Sequence, residues 1–220
     1  MILRTSALLL IAAVVVYTKP VQNADLSAVN TFLASLAASD SRTDSLVTLN
    51  YQNMASKKSP DHDNAKDPLF SRVDSSVSSG ATYTAIANLL KFYTYDSDVA
   101  QLISDDFTTA INNFLDIFIA SDAVQQSWTF LQSQGVSTAD ASAFRQQLYN
   151  LWFLPYARNQ VAGSSGFKSV FFGEATGTTI NRFANWYGFY LQEKSSVFNY
   201  HGWFTKVNGG NKVRERFVCI

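Results

Sequence analysis

Cysteine is almost absent from this chain of 220 residues, which contains only Cys219, one residue from the end. A single thiol excludes an intramolecular disulfide framework and offers no metal cluster. Cys219 could pair with a second chain outside the cell, or it could be a tail residue without a role, and the sequence leaves both interpretations open.

Histidine and charge are also scarce, with two histidines, His62 and His201, and 15% charged residues. The sequence contains no GxSxG, P-loop, CxxC or HExxH motif, so the enzyme classes with those motifs gain no support. Hydrophobic residues are abundant: they make up 47% of the chain and include 17 Phe and 10 Tyr. This composition argues against disorder, and the length suffices for one good core or two small lobes that share an interface.

The N-terminus carries Arg4 followed by the apolar run Ala7–Tyr17. This pattern is typical of a secretory signal peptide, and the run is too short to span a bilayer as a mature helix. We therefore predict a signal peptide over residues 1–20, cleavage between Tyr17 and Ala24, and a secreted protein with no membrane attachment afterwards. An uncleaved anchor is the less favoured alternative because of the same short length.

The formal net charge of zero hides an asymmetry along the chain. Residues 1–157 carry nine Lys/Arg against fourteen Asp, whereas residues 158–220 carry eight Lys/Arg against three Glu. A basic half of this kind can attract a polyanion such as RNA. An uneven distribution of charge without any partner explains the composition equally well.

The N-terminal part of the chain shows helical spacing of its apolar residues. In the segment Thr82–Tyr93 we expect a buried stripe formed by Ile86, Leu89, Leu90 and Tyr93. In the segment Thr138–Tyr156 we expect another, formed by Phe144, Leu148, Trp152 and Tyr156. Asp25 is a candidate helix cap and Gly135 a stop signal. The segments are Asp25–Ser39, Asp98–Ile119, Thr82–Tyr93, Ala123–Gln134 and Thr138–Tyr156, with Gln52–Asp67 as a polar loop.

Beyond Gly163 the periodicity changes. The segments Lys168–Glu174 and Phe198–Val207 are short and β-rich, and glycines separate them, which predicts strands. Asn185–Lys194 is predicted as a short helix with an inward aromatic stripe that serves as core rather than as a base-stacking platform: Trp186, Phe189 and Tyr190. The predicted fold class is therefore α+β, with a helical N-terminal lobe followed by a strand-containing lobe.

The most specific pattern lies between Gly163 and Trp203 and reads GSSGFKSVFFGE, then RFANWYGFYLQEK after a short gap. It resembles the core motif of the EndoU family of uridylate-specific endoribonucleases, whose two halves read close to SSGFEHVFVGE and GFHNWIQFYLQEK. Further stretches are similar to EndoU landmarks in the same order: Leu49–Gln52, Asp67–Asp74, Thr82–Tyr83 and Leu148–Arg158. The resemblance extends from about Asp25 to about Phe204.

This resemblance implies an EndoU-like domain over residues 25–207 with a partial C-terminal lobe. The family carries a further segment with a catalytic lysine and a uridine-recognition signature. Residues 208–220 match nothing in that segment, so we expect a C-terminally truncated domain with a divergent tail.

The resemblance also implies an activity: cleavage of single-stranded, uridine-containing RNA to 2′,3′-cyclic phosphate ends, with Mn²⁺ as the cofactor. Two imidazoles suit the proton transfers of this reaction because their pKa lies near working pH. Ser169 stands at the first histidine position and Ala184 at the second, while Glu174 keeps a family acid. Neither a free hydroxyl nor a methyl group exchanges a proton near neutrality. We therefore expect catalysis to be lost or greatly weakened.

Other residues are weaker candidates for the site. By resemblance and charge we expect RNA contacts from Arg182, Lys194 and His201, the last of which stands where the family usually has lysine. His201 is alternatively a plain strand residue, or a remnant that supports residual catalysis with a metal. A metal could also bind Asp61, His62 and Asp63, although a solvated polar loop explains that cluster at least as well.

Two functions from different classes remain open at this stage. One is a degenerate enzyme, acting as a monomer, that still binds RNA through its basic half. The other is a non-catalytic, secreted protein-interaction module on the same scaffold.

Overall fold

The computed structural model describes residues 26–39, 45–54, 62–158, 160–176, 179–208 and 211–219. The predicted signal peptide, the cap at Asp25 and the metal candidate Asp61 lie outside these residues. Within them, no helix combines the length and the apolar character that crossing a membrane requires.

Among the described residues, helices dominate up to Trp152 and antiparallel strand pairs become prominent after Gly173, which confirms the α+β class. The α-helices of the described part are α1 (Leu26–Ser39), α2 (Ser75–Ser78), α3 (Ala81–Leu90), α4 (Asp105–Ile119), α5 (Asp122–Ser133), α6 (Ala141–Trp152) and α7 (Trp186–Lys194). The strand pairs are β1 (Val47–Leu49) with β2 (Phe70–Val73), β3 (Glu174–Thr176) with β4 (Thr179–Arg182), and β5 (Asn199–Asn208) with β6 (Asn211–Cys219).

Capping residues set helix ends that the apolar pattern alone misplaces. The predicted helix from Asp98 begins only at Asp105, because the Ser104 side chain accepts a hydrogen bond from the Phe107 amide at 3.2 Å. Asp140 caps α6 in the same way through the Ala143 amide at 2.9 Å. A side-chain oxygen at this position satisfies an amide that the helix leaves unpaired, so the helix starts there.

The burial predicted for the α3 stripe is confirmed: Ile86, Leu89 and Leu90 are buried on the helix, and Tyr93 is buried just past its end at Leu90. On α6 the stripe is correct for Phe144, Leu148 and Trp152 but wrong for Tyr156, which is 40% exposed. The helix ends at Trp152 because Pro155 lacks an amide hydrogen and disfavours helical geometry at the residue before it. Tyr156 therefore lies past the helix.

The strand predicted over Lys168–Glu174 is also wrong. Residues Lys168–Phe172 form a π-helix, closed by a hydrogen bond from the Gly173 amide to the Lys168 carbonyl at 2.8 Å, and β3 begins at Glu174. The helical geometry places Phe167 and Phe171 four residues apart on one buried side, with ring centroids 4.6 Å apart. That aromatic spacing outweighs the β propensity of Val170 and the phenylalanines.

One continuous apolar core links the helical part to the segment Gly163–Trp203, which carries the family pattern and is called the motif segment below. It extends from Val47 through the helices to the π-helix and the start of α7. Phe167 lies at its centre, fully buried, with ring centroids of Phe114 and Phe153 at 5.4 and 5.1 Å. A smaller cluster joins α7 to the strands: Ala65, Leu69, Phe189, Phe198 and Tyr200. The motif segment is thus held on both sides by packed aromatic rings.

The predicted strand Phe198–Val207 corresponds to β5. Residues 211–219, inside the segment predicted as a divergent tail, form β6 and pair with β5 along its length, from Asn208 opposite Asn211 to Asn199 opposite Cys219. A bulge between Tyr200 and Gly202 interrupts the register at His201.

Candidate functional site

The first candidate position, Ser169, is fixed by the backbone of the π-helix. Its amide donates to the Ser165 carbonyl at 2.9 Å, and the Ser165 hydroxyl accepts from the Lys168 amide at 3.1 Å. Gly166 lies so close to the preceding helix that a Cβ there would approach the Leu151 carbonyl oxygen to 2.5 Å. Only 3% of Ser169 is exposed, so its hydroxyl is a buried group in a rigid turn.

Ser169 belongs to a connected group of four side chains, which we name the Glu174 cluster: Arg158, Ser164, Ser169 and Glu174. The Ser164 hydroxyl donates to Oε1 of the buried Glu174 carboxylate, and Arg158 Nη2 pairs with Oε2 at 2.7 Å. The same nitrogen donates to Ser169 Oγ at 3.3 Å. Although partial burial works against it, the Glu174 carboxylate raises the pKa of Arg158 above its ordinary value. The guanidinium is therefore a permanent cation beside Ser169.

Lys168 stands where the family pattern has glutamate, and it is fully buried beneath the cluster. Its ammonium group donates to the carbonyl oxygens of Gly163 at 2.7 Å and of Asp96 at 3.0 Å. Burial lowers the pKa of Lys168, against the attraction of the Glu174 and Asp96 carboxylates. Lys168 thus ties the motif segment to the chain at Asp96.

The second candidate position, Ala184, is exposed in the loop between β4 and α7. Its neighbour Asn185 caps α7, with the side-chain oxygen accepting from the amides of Tyr187 at 2.9 Å and Gly188 at 3.0 Å. The surrounding backbone is therefore well ordered by its own hydrogen bonds. The methyl group of Ala184 brings no proton-transfer chemistry to it.

The three predicted RNA contacts lie in different surroundings. Arg182 is the last residue of β4, in register with Glu174, and its side chain lies outside the described part. Lys194 ends α7 at the surface, with its ammonium nitrogen 5.8 Å from the Tyr190 ring centroid. His201 is only 8% exposed, and its carbonyl accepts from the Asn64 amide at 3.3 Å. Their roles in RNA binding stay predictions.

In the polar loop at residues 62–67, hydrogen bonds to the Asp63 carboxylate stabilise the conformation of the loop. Asp63 Oδ1 accepts from the Ala65 amide at 2.8 Å, and Oδ2 accepts from the Asn199 side chain at 3.0 Å. Against a desolvation effect, these hydrogen bonds hold the pKa of Asp63 below its ordinary value. Across the described residues, no three His, Cys, Asp or Glu side chains form a group that could hold a metal ion. The Glu174 carboxylate is likewise engaged, by Arg158 and Ser164, and Mn²⁺ as the cofactor stays a prediction.

The aromatic stripe of α7 belongs to the core. Trp186 and Phe189 are buried, and Phe70 contacts them with ring centroids 6.1 and 5.6 Å away. Tyr190 is half-buried against the same Phe70 ring at 5.6 Å. The prediction of core rather than a stacking platform is confirmed.

Sequence reasoning missed Arg158, Ser164 and Tyr156 as members of the site. The Tyr156 hydroxyl accepts from Arg158 Nη2 at 3.0 Å, and the guanidinium carbon lies 5.4 Å from the Tyr156 ring centroid. Tyr156 and Arg158 lie at the end of Leu148–Arg158, a stretch that resembles an EndoU landmark. The resemblance therefore indicates that they belong to the family pattern. The pattern contains no signal that this stretch folds against Ser169.

The fold and the site together define the class of protein. It is an α+β protein with the charged Glu174 cluster beside the π-helix. The family model of Endoribonuclease XendoU matches residues 27–217. The chain therefore belongs to the XendoU (EndoU) family, which confirms the resemblance.

Relatives and a solved structure agree with this assignment. The chain is 37% identical over 150 residues to uridylate-specific endoribonuclease C of Danio rerio, covering 66% of this chain and 48% of that protein. It is 33% identical over 150 residues to poly(U)-specific endoribonuclease-A of Xenopus laevis, covering 66% and 51%. The structure of XendoU, a splicing-independent snoRNA-processing endoribonuclease, matches with a TM-score of 0.61 and 30% identity, over 74% of this chain and 58% of that one. The chain spans about half the length of the curated relatives it matches.

Proposed function

We propose that this chain is an RNA-binding member of the XendoU family in which uridylate-specific endonuclease activity is lost or greatly weakened. One observation carries the proposal: the two positions where the family has histidine hold Ser169, buried and bonded to Arg158, and Ala184, an exposed methyl group.

The chemistry of the reaction explains why these positions decide the activity. Attack of a ribose 2′-hydroxyl on the adjacent phosphate needs a base for the 2′ proton and an acid for the leaving 5′ oxygen. Each such group contributes a factor of roughly 10²–10⁴ to the rate. Ser169 could orient a phosphate or a water molecule, but it supplies neither function. Cleavage to 2′,3′-cyclic phosphate ends is therefore the family activity that this scaffold should largely lack.

RNA binding is supported by the distribution of charge. Arg158 and Lys194 are exposed in part or in full. Lys212, Arg214 and Arg216 occupy alternate positions of β6, in register with residues 207, 205 and 203 of β5. From residue 158 onward the chain carries eight Lys/Arg against three Glu, a balance that attracts a polyanion. Relatives named for action on poly(U) or uridylate support uridine-containing RNA as the ligand.

A titration of binding against salt tests this proposal. We expect a fluorescein-labelled oligouridylate to bind the purified chain at low ionic strength, with an affinity that falls linearly on a log–log plot as salt increases, because bound counterions are released. An oligocytidylate of equal length serves as the matched control for base preference. Absence of any binding at low ionic strength would remove the proposal.

The second candidate, a secreted protein-interaction module, is favoured by one observation. Residues 98–104 expose three large apolar side chains, of which Leu102 is 80% exposed: Val99, Leu102 and Ile103. We propose that in either case the chain acts outside the cell as a monomer after removal of its N-terminal segment. Indifference to RNA, combined with a defined protein partner that a Leu102→Ser variant no longer binds, would favour this candidate over the first.

A further inference from the structure

We infer that Tyr156 and Arg158 form a nucleotide subsite of this chain, in which the guanidinium binds a phosphate and the tyrosine ring stacks on the adjoining base. The inference rests on the proposed function as an RNA-binding protein. It adds two residues, neither of which the sequence pattern identifies as an RNA contact.

The backbone that carries the pair is fixed to the motif segment. The Tyr156 amide donates to the Ser164 carbonyl at 2.9 Å, and the Ser164 amide donates to the Tyr156 carbonyl at 3.3 Å. These two bonds form an isolated antiparallel bridge. Gly163 brings the same segment against residues 97–99, because a Cβ there would lie 2.3 Å from the Ser97 carbonyl oxygen. A side chain on such a support is presented with little freedom of its backbone.

The guanidinium is anchored through Nη2, and the Arg158 side chain remains partly exposed. Its contacts with Glu174, Ser169 and Tyr156 are all made by Nη2. The Arg158 side chain is nevertheless 36% exposed, whereas Glu174 is 2% exposed. A guanidinium that a buried carboxylate holds in one orientation has lost its conformational freedom before the ligand arrives. Glu174, held in turn by Ser164, is a positioning residue for this cation.

The location favours RNA phosphate as the ligand. Arg158 Nη2 lies 3.3 Å from Ser169 Oγ, and Ser169 stands where the family has an imidazole that works on the ribose-phosphate backbone. RNA that follows the family's course over this position would pass within reach of the guanidinium. Planar, forked donors suit phosphate oxygens particularly well.

Tyr156 supplies the second half of the subsite. The residue is 40% exposed, and the Arg158 guanidinium carbon lies 5.4 Å from its ring centroid, so an aromatic side chain at the surface adjoins a cation. Bases of single-stranded nucleic acids stack on such rings, and the neighbouring guanidinium adds a phosphate contact. This combination fits a single nucleotide with its phosphate better than it fits a free anion, because a free anion would leave the ring unused.

The test measures binding of the fluorescein-labelled oligouridylate to single variants of the whole chain. We expect Tyr156→Leu to weaken binding about tenfold, which corresponds to one lost base stack. We expect Arg158→Gln to weaken binding and to reduce the slope of log affinity against log salt by about one phosphate contact. Arg158→Lys keeps the charge, so it should retain the slope but lose affinity through loss of the forked geometry.

Arg145 provides the matched control. It lies on α6, pairs with Asp116 at 2.7 Å and is 31% exposed, much like Arg158. Arg145→Gln removes the same charge and should change neither affinity nor slope. Circular dichroism melting checks that each variant is folded. Substitution of Arg158 removes the ion-pair partner of the buried Glu174 and could unfold the chain. In that case Tyr156→Leu, which leaves the ion pair intact, still tests the subsite.

The outcomes separate this inference from the proposed function. If the unmodified chain binds RNA and both Tyr156→Leu and Arg158→Lys bind equally well, the subsite is wrong and the proposed function stands. If Arg145→Gln weakens binding as much as Arg158→Gln, binding depends on net charge alone and the subsite is again wrong. If the unmodified chain does not bind RNA at low ionic strength, both proposals fall.

Discussion

Ser169 and Ala184 both lack a titratable group, but their surroundings differ at the residue scale. Ser169 is buried and hydrogen-bonded to Arg158 in the Glu174 cluster. Ala184 is exposed in a loop. An imidazole at position 169 would have to share its space with the guanidinium and would lose affinity for its proton beside that cation. The first position is thus incorporated into a structural cluster, whereas the second has only lost its functional group.

Lys168 leads to a prediction about stability and pH. Because burial lowers its folded-state pKa below the ordinary value of 10.5, the unfolded chain binds this proton more tightly than the folded chain. The free energy of unfolding should therefore rise as pH increases through the window between the folded pKa and the ordinary value. Lys168→Met should lack this rise, although it leaves two backbone carbonyls without their donor.

Urea unfolding of both proteins from neutral pH to about pH 9.5, below the ordinary titration of tyrosine, measures this difference. The upper limit matters because burial raises the pKa of Tyr93 and Tyr95, so these residues lose stabilisation at higher pH. Lys194→Met, at an exposed position on α7, is the control and should follow the unmodified profile. Parallel profiles for Lys168→Met and the unmodified chain would contradict the account of Lys168.

At the residue scale, the sequence predicts which residues belong to the site better than it predicts which side chains they contact. The pattern was sufficient to single out Ser169, Ala184 and Glu174. It could not show that Arg158 reaches Glu174, because that ion pair depends on how the chain turns after Pro155 and returns at Ser164. Contacts that depend on loop geometry have no periodic signature.

At the scale of elements, amphipathic helices were predicted well and the motif turn was not. A stripe such as Ile86, Leu89 and Leu90 reports burial directly, because one face of a helix recurs every three to four residues. The segment Lys168–Phe172 has a β-rich composition but forms a π-helix. Its geometry is determined by the hydrogen bond from the Lys168 amide to the Ser165 hydroxyl and by packing of Phe167, neither of which is visible in local propensity.

Gly188 tests the close packing of α7 against the π-helix. A Cβ at this position would lie 2.0 Å from the Phe171 carbonyl oxygen. We expect Gly188→Ala to destabilise the fold by about 3 kcal/mol or more, since backbone atoms would have to move. Gly135→Ala is the matched control: its φ is +67° with open space around it, so only backbone strain of about 1–2 kcal/mol applies.

Thermal unfolding of the two alanine variants gives the comparison. The Gly188 variant should show the lower melting temperature, or should fail to fold while Gly135→Ala folds. Equal melting temperatures would show that α7 does not pack as closely as described.

Glu193 joins α7 to β2. Its two carboxylate oxygens accept from the amides of Leu69 at 2.7 Å and Phe70 at 3.1 Å. Glu193→Ala would leave both amides without their acceptor, and we expect a loss of about 2–3 kcal/mol. Glu193→Gln retains one acceptor oxygen and should lose less, while Lys194→Ala, next in sequence and exposed, should lose less than about 0.5 kcal/mol.

Chemical denaturation of these three variants checks the order. Hydrogen exchange at the Leu69 and Phe70 amides adds a local measurement, since both should exchange faster in Glu193→Ala. Unchanged exchange at these amides would contradict the proposed link between α7 and β2.

At the scale of the whole molecule, family membership was within reach of the sequence because several motifs occur in the family's order. A charge difference between the two halves was also visible from the sequence. The larger core, which joins the helical part to the segment after Gly163, was not, since it depends on Phe167 packing against Phe114, far away in sequence. The aromatic framework of the family can thus be present where the residues of the reaction centre differ.

Cleavage of RNA by the purified chain tests the central claim most directly. A uridine-containing oligonucleotide is incubated with the chain, with and without Mn²⁺, and products are analysed for 2′,3′-cyclic phosphate ends. Poly(U)-specific endoribonuclease-A of Xenopus laevis serves as the positive control. We predict no cleavage above the protein-free background under conditions in which the chain binds the oligonucleotide. Sustained turnover that co-purifies with the chain and yields cyclic phosphate ends would contradict the claim that Ser169 and Ala184 have removed the proton transfers of the reaction.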